Sequence, residues 1–264
     1  MTQTTPTNLP DYERPPVIEV VYGVKFAPLE RWKIPHVGAF WKNVEAEFPR
    51  CEHAPPIGTV DIADVDTGFP LPRIWLINEA EDRLIQLQPG RFLFNWRSRD
   101  PEQSYPRYNN LSKIFFDLLR KFREFLDLYD LGDIDPTEYE LTYINHVVEQ
   151  KGWELPSQVD KIMEEFVWRE NREDFLPKPS KVTWEACFNF SEGPGDLIAK
   201  LSPARRARDG TPLLVFDLSA RGLPDKAPLE NMENWFSHAH EWIIRGFDDL
   251  TTLDAQIELW GKHA

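Results

Sequence analysis

The sequence contains little cysteine: Cys51 and Cys187 are the two in 264 residues, and they lie far apart. A disulfide framework needs several cysteines at short spacings, and a structural zinc site needs pairs such as Cys-x-x-Cys. The sequence therefore predicts neither feature. Two isolated thiols are typical of a protein in a reducing compartment, so we expect a cytoplasmic location.

Long hydrophobic runs are missing as well. No segment approaches the roughly eighteen consecutive apolar residues that span a bilayer. The first sixteen residues are polar and rich in proline, and they lack the apolar centre of a signal peptide. We expect no membrane association, and residues 1–16 are interpreted as a disordered leader.

Positive charge is also scarce, with 30 Lys and Arg against 44 Asp and Glu and a formal net charge of -14 at pH 7. Nucleic-acid binding needs a dense positive surface, so nucleic acid is not an expected partner. A strongly acidic surface is suited to a basic protein, and we expect a protein partner.

The motifs that mark common catalytic sites are absent, including GxSxG, the P-loop, GxGxxG and HExxH. His238 and His240 are two residues apart on a predicted helix, so their rings point in different directions and cannot share a metal ion. His238 with Glu241, which can share a helix face, and His146 on a predicted strand are secondary site candidates. We expect no catalytic residue, no metal site and no cofactor.

The clearest positive pattern covers residues 83–130. Residues 83–88 and 91–97 carry alternating patterns on either side of a Pro-Gly turn, which predicts a hairpin. Large apolar side chains then recur at i, i+3, i+4 and i+7, which predicts a helix over residues 105–130. A second helix of this kind is predicted over residues 228–249.

The remaining segments predict further strands and two shorter helices. One helix follows Pro35 and a second follows Pro156, because proline is favoured in the first turn. Strands are predicted at residues 17–27, 57–63, 73–79, 138–149, 181–190, 196–202, 212–220 and 255–260.

The order strand, helix, several strands and long helix occurs twice, with a few matched positions such as Phe94 and Phe216. We therefore predict an α+β fold of two pseudo-repeated β-α-β-β-β-α units, residues 17–135 and 136–264, that share one continuous core. Their antiparallel sheets are expected to meet edge to edge or to join into one curved sheet, with the long amphipathic helices packed on one face.

The densest grouping of polar and aromatic residues is the predicted binding site. Strand alternation places Asn95 and Arg97 on one side of the strand and Phe94 on the other. Guanidinium groups bind anions with paired hydrogen bonds, so the group suits an anionic ligand or an acidic partner; pairing with carboxylates of the same chain is the alternative. The predicted binding residues are Arg91, Asn95, Arg97, Arg99, Tyr105, Arg107 and Tyr108.

A scaffold without a catalytic motif favours a non-enzymatic protein-binding or interaction module. The alternative is an enzyme or small-ligand binder that uses a cleft between the two sheets, lined by Arg97, Arg99 and His146. Ten tryptophans and exposed sheet edges also predict a homodimer, because tryptophan is enriched at interface centres and unpaired edges invite a second strand.

Three segments carry a resemblance: PPVIEVVYGVKF, IQLQPGRFLFNWR followed by YPRY, and HAHEWIIRGFDDLTT. They resemble a sporadically distributed family of uncharacterised bacterial proteins of about this length, and the resemblance covers nearly the whole chain. The family has no established activity, so it implies no catalytic residues. Its patchy occurrence implies an accessory role such as defence or toxin neutralisation.

Overall fold

The structure is a computed structural model that describes residues 9–55, 72–100, 103–148, 158–166, 175, 179–224 and 229–263. Its elements are, in order, β1 (Val17–Phe26), α1 (Ile34–Val44), β2 (Arg50–Ala54), β3 (Arg73–Ile77), β4 (Arg83–Gln88), β5 (Arg91–Arg97), α2 (Tyr108–Leu128), β6 (Pro136–Val148), β7 (Trp184–Asn189), β8 (Asp196–Arg205), β9 (Pro212–Gly222), α3 (Met232–Leu250) and α4 (Leu253–Glu258). None of the helices in these described ranges has both the length and the hydropathy that a bilayer crossing requires.

The strands form one antiparallel sheet of nine, in the order β2-β3-β4-β5-β1-β6-β9-β8-β7. The predicted pair of β-α-β-β-β-α units with separate sheets is therefore wrong, although the composition is α+β. Strand β6 lies beside β1: the backbone N–H of Ala27 donates to the carbonyl oxygen of Asp135, and that of His146 donates to Pro16. The pairing satisfies backbone groups that would otherwise stay open at two sheet edges.

The two long helices and most strands lie where the sequence pattern predicts them. Two of the predicted elements differ in the structure, and a third lies outside the described residues. Residues 255–260 belong largely to helix α4 instead of a strand, and the Thr252 hydroxyl accepts a hydrogen bond from the Ala255 N–H at its start. The helix predicted after Pro156 is, where described, a 3₁₀ turn at Val159–Lys161. The strand predicted at residues 57–63 lies outside the described residues.

Helix α2 ends in a hydrogen-bonded turn, although the position after the helix that is usually glycine in such a turn is an aspartate. The N–H of Leu131 donates to the carbonyl oxygen of Leu126 at 2.9 Å, and the N–H of Asp130 donates to Asp127 at 3.2 Å. These are the two bonds of a Schellman motif, which needs a left-handed residue after the helix. Asp130, at φ 50°, takes that conformation.

The chain divides into two compact units, with the boundary inside β6. The first unit comprises Glu19–Leu141 with Asp225–Leu229. The second comprises Met1–Ile18, Thr142–Pro224 and Glu230–Ala264.

Aromatic contacts fill the core of the first unit. Helix α2 packs its rings against the sheet and against α1: Phe115 lies 5.2 Å from Tyr22, and Phe122 lies 5.0 Å from Phe92 and 5.2 Å from Phe40. Each such side chain contributes roughly 1.5–3 kcal/mol when fully buried. This packing gives the sheet of the first unit one covered face.

The second unit has its own aromatic core under α3. The ring of Phe247 lies 6.1 Å from Phe216, 4.8 Å from Trp260 and 5.4 Å from Tyr12. The expected disordered leader is described from residue 9 onward, and within it Glu13 donates a backbone hydrogen bond to Gly261. The packing of α3 determines the pocket described below.

Candidate functional site

Polar side chains of the first unit gather on the sheet face opposite α2. The ring contacts follow the predicted alternation in β5, because Phe92 stacks on Phe122 of α2, while Leu93 and Asn95 on the other face are buried as well. The opposite face carries Arg97, which is directly opposite Glu19 of β1 in the strand register. Alternation in β3 and β4 adds further polar residues to this face.

A chain of hydrogen bonds crosses four strands on this face. The Gln86 side-chain oxygen accepts from Arg73 Nη1 and from Trp75 Nε1, both at 3.0 Å. Its amide nitrogen donates to Asn95 Oδ1 at 2.6 Å, and Asn95 Nδ2 donates to Glu19 Oε1 at 2.6 Å. Gln86 and Asn95 are buried, so their hydrogen bonds avoid the free-energy cost of unpaired polar groups. The same bonds orient Arg73 and Trp75 at one end of the chain and Glu19 at the other.

Two guanidinium groups lie over the ring of Trp75. The central carbon of Arg73 is 5.2 Å from the ring centre, and that of Arg97 is 5.9 Å away. Both distances lie within the range of cation–π attraction. The half-buried indole therefore holds two positive charges close together.

Glu81, at the turn between β3 and β4, accepts hydrogen bonds from three guanidinium groups. Its carbonyl oxygen accepts from Arg97 Nε at 3.1 Å and from Arg99 Nε at 2.9 Å. Its carboxylate accepts from Arg99 Nη2 at 2.7 Å and also pairs with Arg50. The backbone of Glu81 is left-handed, with φ 59°, a strained conformation for a residue other than glycine.

We call Arg50, Arg73, Trp75, Arg97 and Arg99 the arginine–tryptophan surface. Burial, followed by the neighbouring charge of Arg99, lowers the pKa of Arg97, and burial raises the pKa of Glu19 against the opposing effects of Asn95 and Arg97. Arg97 forms no ion pair with any described carboxylate, and its Nη1 and Nη2 atoms have no hydrogen-bond partner among the described residues. The buried Nε of Arg73 likewise has no partner there.

The structure brings together some of the predicted binding residues and separates others. Asn95, Arg97 and Arg99 meet on the face just described. Tyr105 lies 5.6 Å from Trp96, on the face that α2 covers. Tyr108 stacks 6.1 Å from Tyr22 on that same side.

Arg91 and Arg107 lie at other places. Arg91 is opposite Lys25 in the strand register and lines a small cleft with Glu138 and Glu140. Arg107 is exposed and directly precedes α2, with φ 70°. Neither residue contributes to the arginine–tryptophan surface.

The secondary candidates belong to the second unit. His146 lies on β6, and burial, then the charge of Arg206, lowers its pKa. His238 and Glu241 line a pocket beside α3, where Glu241 accepts from Arg245 Nε at 2.8 Å. No group of three metal-binding side chains occurs within the described ranges.

The predicted cleft between two sheets, lined by Arg97, Arg99 and His146, is wrong because the strands form a single sheet. The polar face also contains four residues that were not predicted from the sequence: Glu19, Arg73, Trp75 and Gln86. The alternating positions in RIWLI and RLIQLQ indicate that Arg73 and Trp75, and likewise Gln86, could lie on a polar face. The meaning of this pattern depends on the registers of β3 with β4 and of β4 with β5, which the alternation itself does not specify.

No protein-family model matches the chain, and no curated protein matches it either. The function is therefore inferred from the geometry and charge of these surfaces.

Proposed function

We propose that the chain is a non-enzymatic binding module whose arginine–tryptophan surface holds an acidic segment of a protein partner. The supporting observation is the unpaired state of Arg97 among the described residues. The chain carries 44 acidic residues against 30 Lys and Arg, so a carboxylate of its own is the expected partner for any accessible guanidinium. Arg97 instead contacts a carbonyl oxygen and an indole, and the carboxylates of Glu19 and Glu52 act on its charge without forming an ion pair with it.

Those contacts prepare Arg97 for an incoming carboxylate. The Glu81 carbonyl uses only the Nε atom, which leaves two terminal nitrogens for one carboxylate. Trp75 limits the motion of the guanidinium, so less conformational entropy is lost when a ligand binds. Arg73 and Arg99 add positive charge nearby, which favours an anionic group over a neutral one.

The resemblance of three segments to a sporadic bacterial family stays a prediction. If the chain shares that family's patchy occurrence, its partner belongs to an accessory system such as defence or toxin neutralisation. We therefore propose to search for the partner in the native host.

The test compares three tagged forms of the full chain as baits in a native-host lysate: the parent, Arg97→Ala and Arg120→Ala. Arg120 is a matched control, because it is an exposed arginine of the same unit and pairs with Glu124 on α2. Captured proteins and small molecules are quantified by mass spectrometry. We expect a protein that the parent and Arg120→Ala retain and that Arg97→Ala loses.

The captured protein is then purified and titrated against the same three forms at increasing salt. Binding through a guanidinium should weaken with salt and be at least about tenfold weaker for Arg97→Ala, since a charge-assisted hydrogen bond contributes about 1.5–3 kcal/mol. Equal binding by both variants, or a stoichiometric small molecule with no protein, would exclude this function for the surface.

A further inference from the structure

Helix α3 and strands of the second unit border a pocket of about 540 Å³. Small-molecule sites in proteins typically occupy roughly 300–1,000 Å³. The pocket belongs to the other compact unit from the arginine–tryptophan surface, and its lining has the opposite charge. It is therefore a separate candidate site.

Side chains of α3 and of the sheet line the pocket on two sides. His238, Trp242 and Arg245 recur at helical spacing and line it from one side, and Phe188 and Leu197 line it from the sheet. Gly246 lies on the same face of α3. A Cβ atom at this position would come within 2.5 Å of Leu197 Cδ2, so glycine allows α3 to pack closely against Leu197 at the edge of the pocket.

One wall of the pocket is a fixed indole. Trp242 stacks on Phe190 with ring centres 4.6 Å apart and an interplanar angle of 27°. Its Nε1 donates to His238 Nε2 at 3.1 Å. Tryptophan offers the most favourable aromatic face for a cation, and a held ring loses little entropy when a ligand binds.

The charges around this wall do not balance. Glu165, Glu192, Glu241 and Asp249 line the pocket together with one guanidinium, that of Arg245. Arg245 pairs with Glu241 at 2.8 Å. The carboxylates of Glu165, Glu192 and Asp249 form no hydrogen bond or ion pair with any residue of the described ranges, so the pocket keeps an excess of negative charge.

His238 also holds the Trp242 wall in place. Its Nε2 lies 2.8 Å from the carbonyl oxygen of Glu192 and 3.1 Å from Trp242 Nε1. The ring therefore links α3 to the loop that carries Glu192.

We propose that this pocket binds an aliphatic polyamine. Separate ammonium groups would pair with the unneutralised carboxylates, and the methylene segments would lie against Trp242 and Phe188. A neutral apolar ligand would cover the carboxylates without neutralising them, which is costly. A single divalent cation is disfavoured, because no three metal-binding side chains converge within the described residues.

The test titrates spermidine into the full chain by isothermal calorimetry at physiological ionic strength. Asp249→Asn removes one pocket carboxylate, and Asp254→Asn removes one exposed carboxylate of α4 as a matched control. We expect saturable binding of one spermidine per chain. Asp249→Asn should weaken it about fivefold or more, and Asp254→Asn by less than about twofold.

Trp242→Leu provides a second test, because it removes the aromatic wall and keeps every charge. We expect Trp242→Leu to bind spermidine more weakly while its circular dichroism spectrum shows an intact fold. If this variant is unfolded, the comparison of Asp249→Asn with Asp254→Asn decides whether the pocket binds spermidine. Equal weakening by Asp249→Asn and Asp254→Asn would show that spermidine responds only to net charge, and would overturn the proposal. Absence of saturable binding, or binding of a lysine-rich peptide but not of spermidine, would overturn it as well.

Discussion

The guanidinium of Arg97 lies 5.9 Å from the centre of the Trp75 ring and donates from Nε to the Glu81 carbonyl at 3.1 Å. Both contacts orient the charge, and neither neutralises it. Arg50, Arg99 and Arg120, by contrast, each form an ion pair with a carboxylate of the chain. Arg97 therefore differs from these three arginines in having no ion pair with a described carboxylate.

Arg97→Ala should therefore affect binding more than folding. It removes one charge-assisted hydrogen bond and one cation–π contact of a half-exposed side chain, so we expect the free energy of unfolding to fall by about 1–2 kcal/mol. Urea denaturation measures this change, with Arg120→Ala as the control. If Arg97→Ala prevented folding and left binding unchanged, Arg97 would be a structural residue and the proposed surface would be wrong.

Phe94→Ala should be strongly destabilising. Phe94 is fully buried and packs against Tyr22, so truncation leaves a cavity that costs about 3–5 kcal/mol, a large share of a typical stability of roughly 5–15 kcal/mol. Thermal and urea denaturation measure the loss. Leu128→Ala is the control, because Leu128 is 75% exposed and its truncation should change stability by about 0.5 kcal/mol or less.

The raised pKa of Glu19 predicts a loss of stability as pH rises. Burial favours the protonated carboxyl in the folded state, so this contribution is fully present below the ordinary pKa of 4.5 and is lost as pH rises through the higher folded pKa. Glu19→Gln keeps an oxygen that accepts from Asn95 and removes the titration. We expect the variant to be more stable than the parent at pH 7 and about equal at pH 4.

Urea denaturation across that range measures the effect of Glu19→Gln, with Glu258→Gln on the exposed side of α4 as the control. A variant that is less stable than the parent at pH 7 would mean that attraction to Arg97 outweighs the cost of burial.

The half-buried imidazole of His240 predicts the opposite dependence at acidic pH. Burial lowers the pKa of His240 from 6.5 to about 4, and its Nδ1 lies 3.1 Å from the Tyr143 hydroxyl. The neutral ring therefore contributes about 3 kcal/mol to the free energy of unfolding. This contribution is fully present above pH 6.5 and is lost as pH falls through about 4. His240→Gln should remove most of this dependence, and His53→Gln on the exposed β2 should not. An unchanged pH profile for His240→Gln would contradict the half-buried, neutral assignment.

Self-association through a sheet edge stays a prediction that the strand order makes specific. Strands β2 and β7 are the outermost strands of the sheet, and each carries an exposed cysteine, Cys51 and Cys187. An added lysine opposes pairing of a strand edge with a second copy. Light scattering at tens of micromolar should give twice the mass of the chain. The lysine variant at the interface edge, Cys51→Lys or Cys187→Lys, should give the mass of a single chain. A parent chain that is monomeric at this concentration would contradict the prediction.

Local patterns in the sequence determined the long helices and the β4–β5 hairpin. Helix α2 follows from apolar residues at helical spacing, and the turn at Pro89 and Gly90 brings β4 and β5 together within a few residues. The alternation in β5 likewise predicted that Phe92 faces α2. These features depend on neighbours in the chain, so periodicity is enough to predict them.

Only the tertiary structure decided how distant strands pair. The alternating patterns of β1 and β6 do not predict that these two strands pair in one sheet, because a strand with unpaired backbone groups can hydrogen-bond to any other strand. Likewise, the registers of β3 with β4 and of β4 with β5 placed Trp75 beside Arg97. Folding of α3 over the sheet placed Glu165, Glu192 and Asp249 in the lining of one pocket, although they are far apart in the chain, because only the folded backbone brings them together.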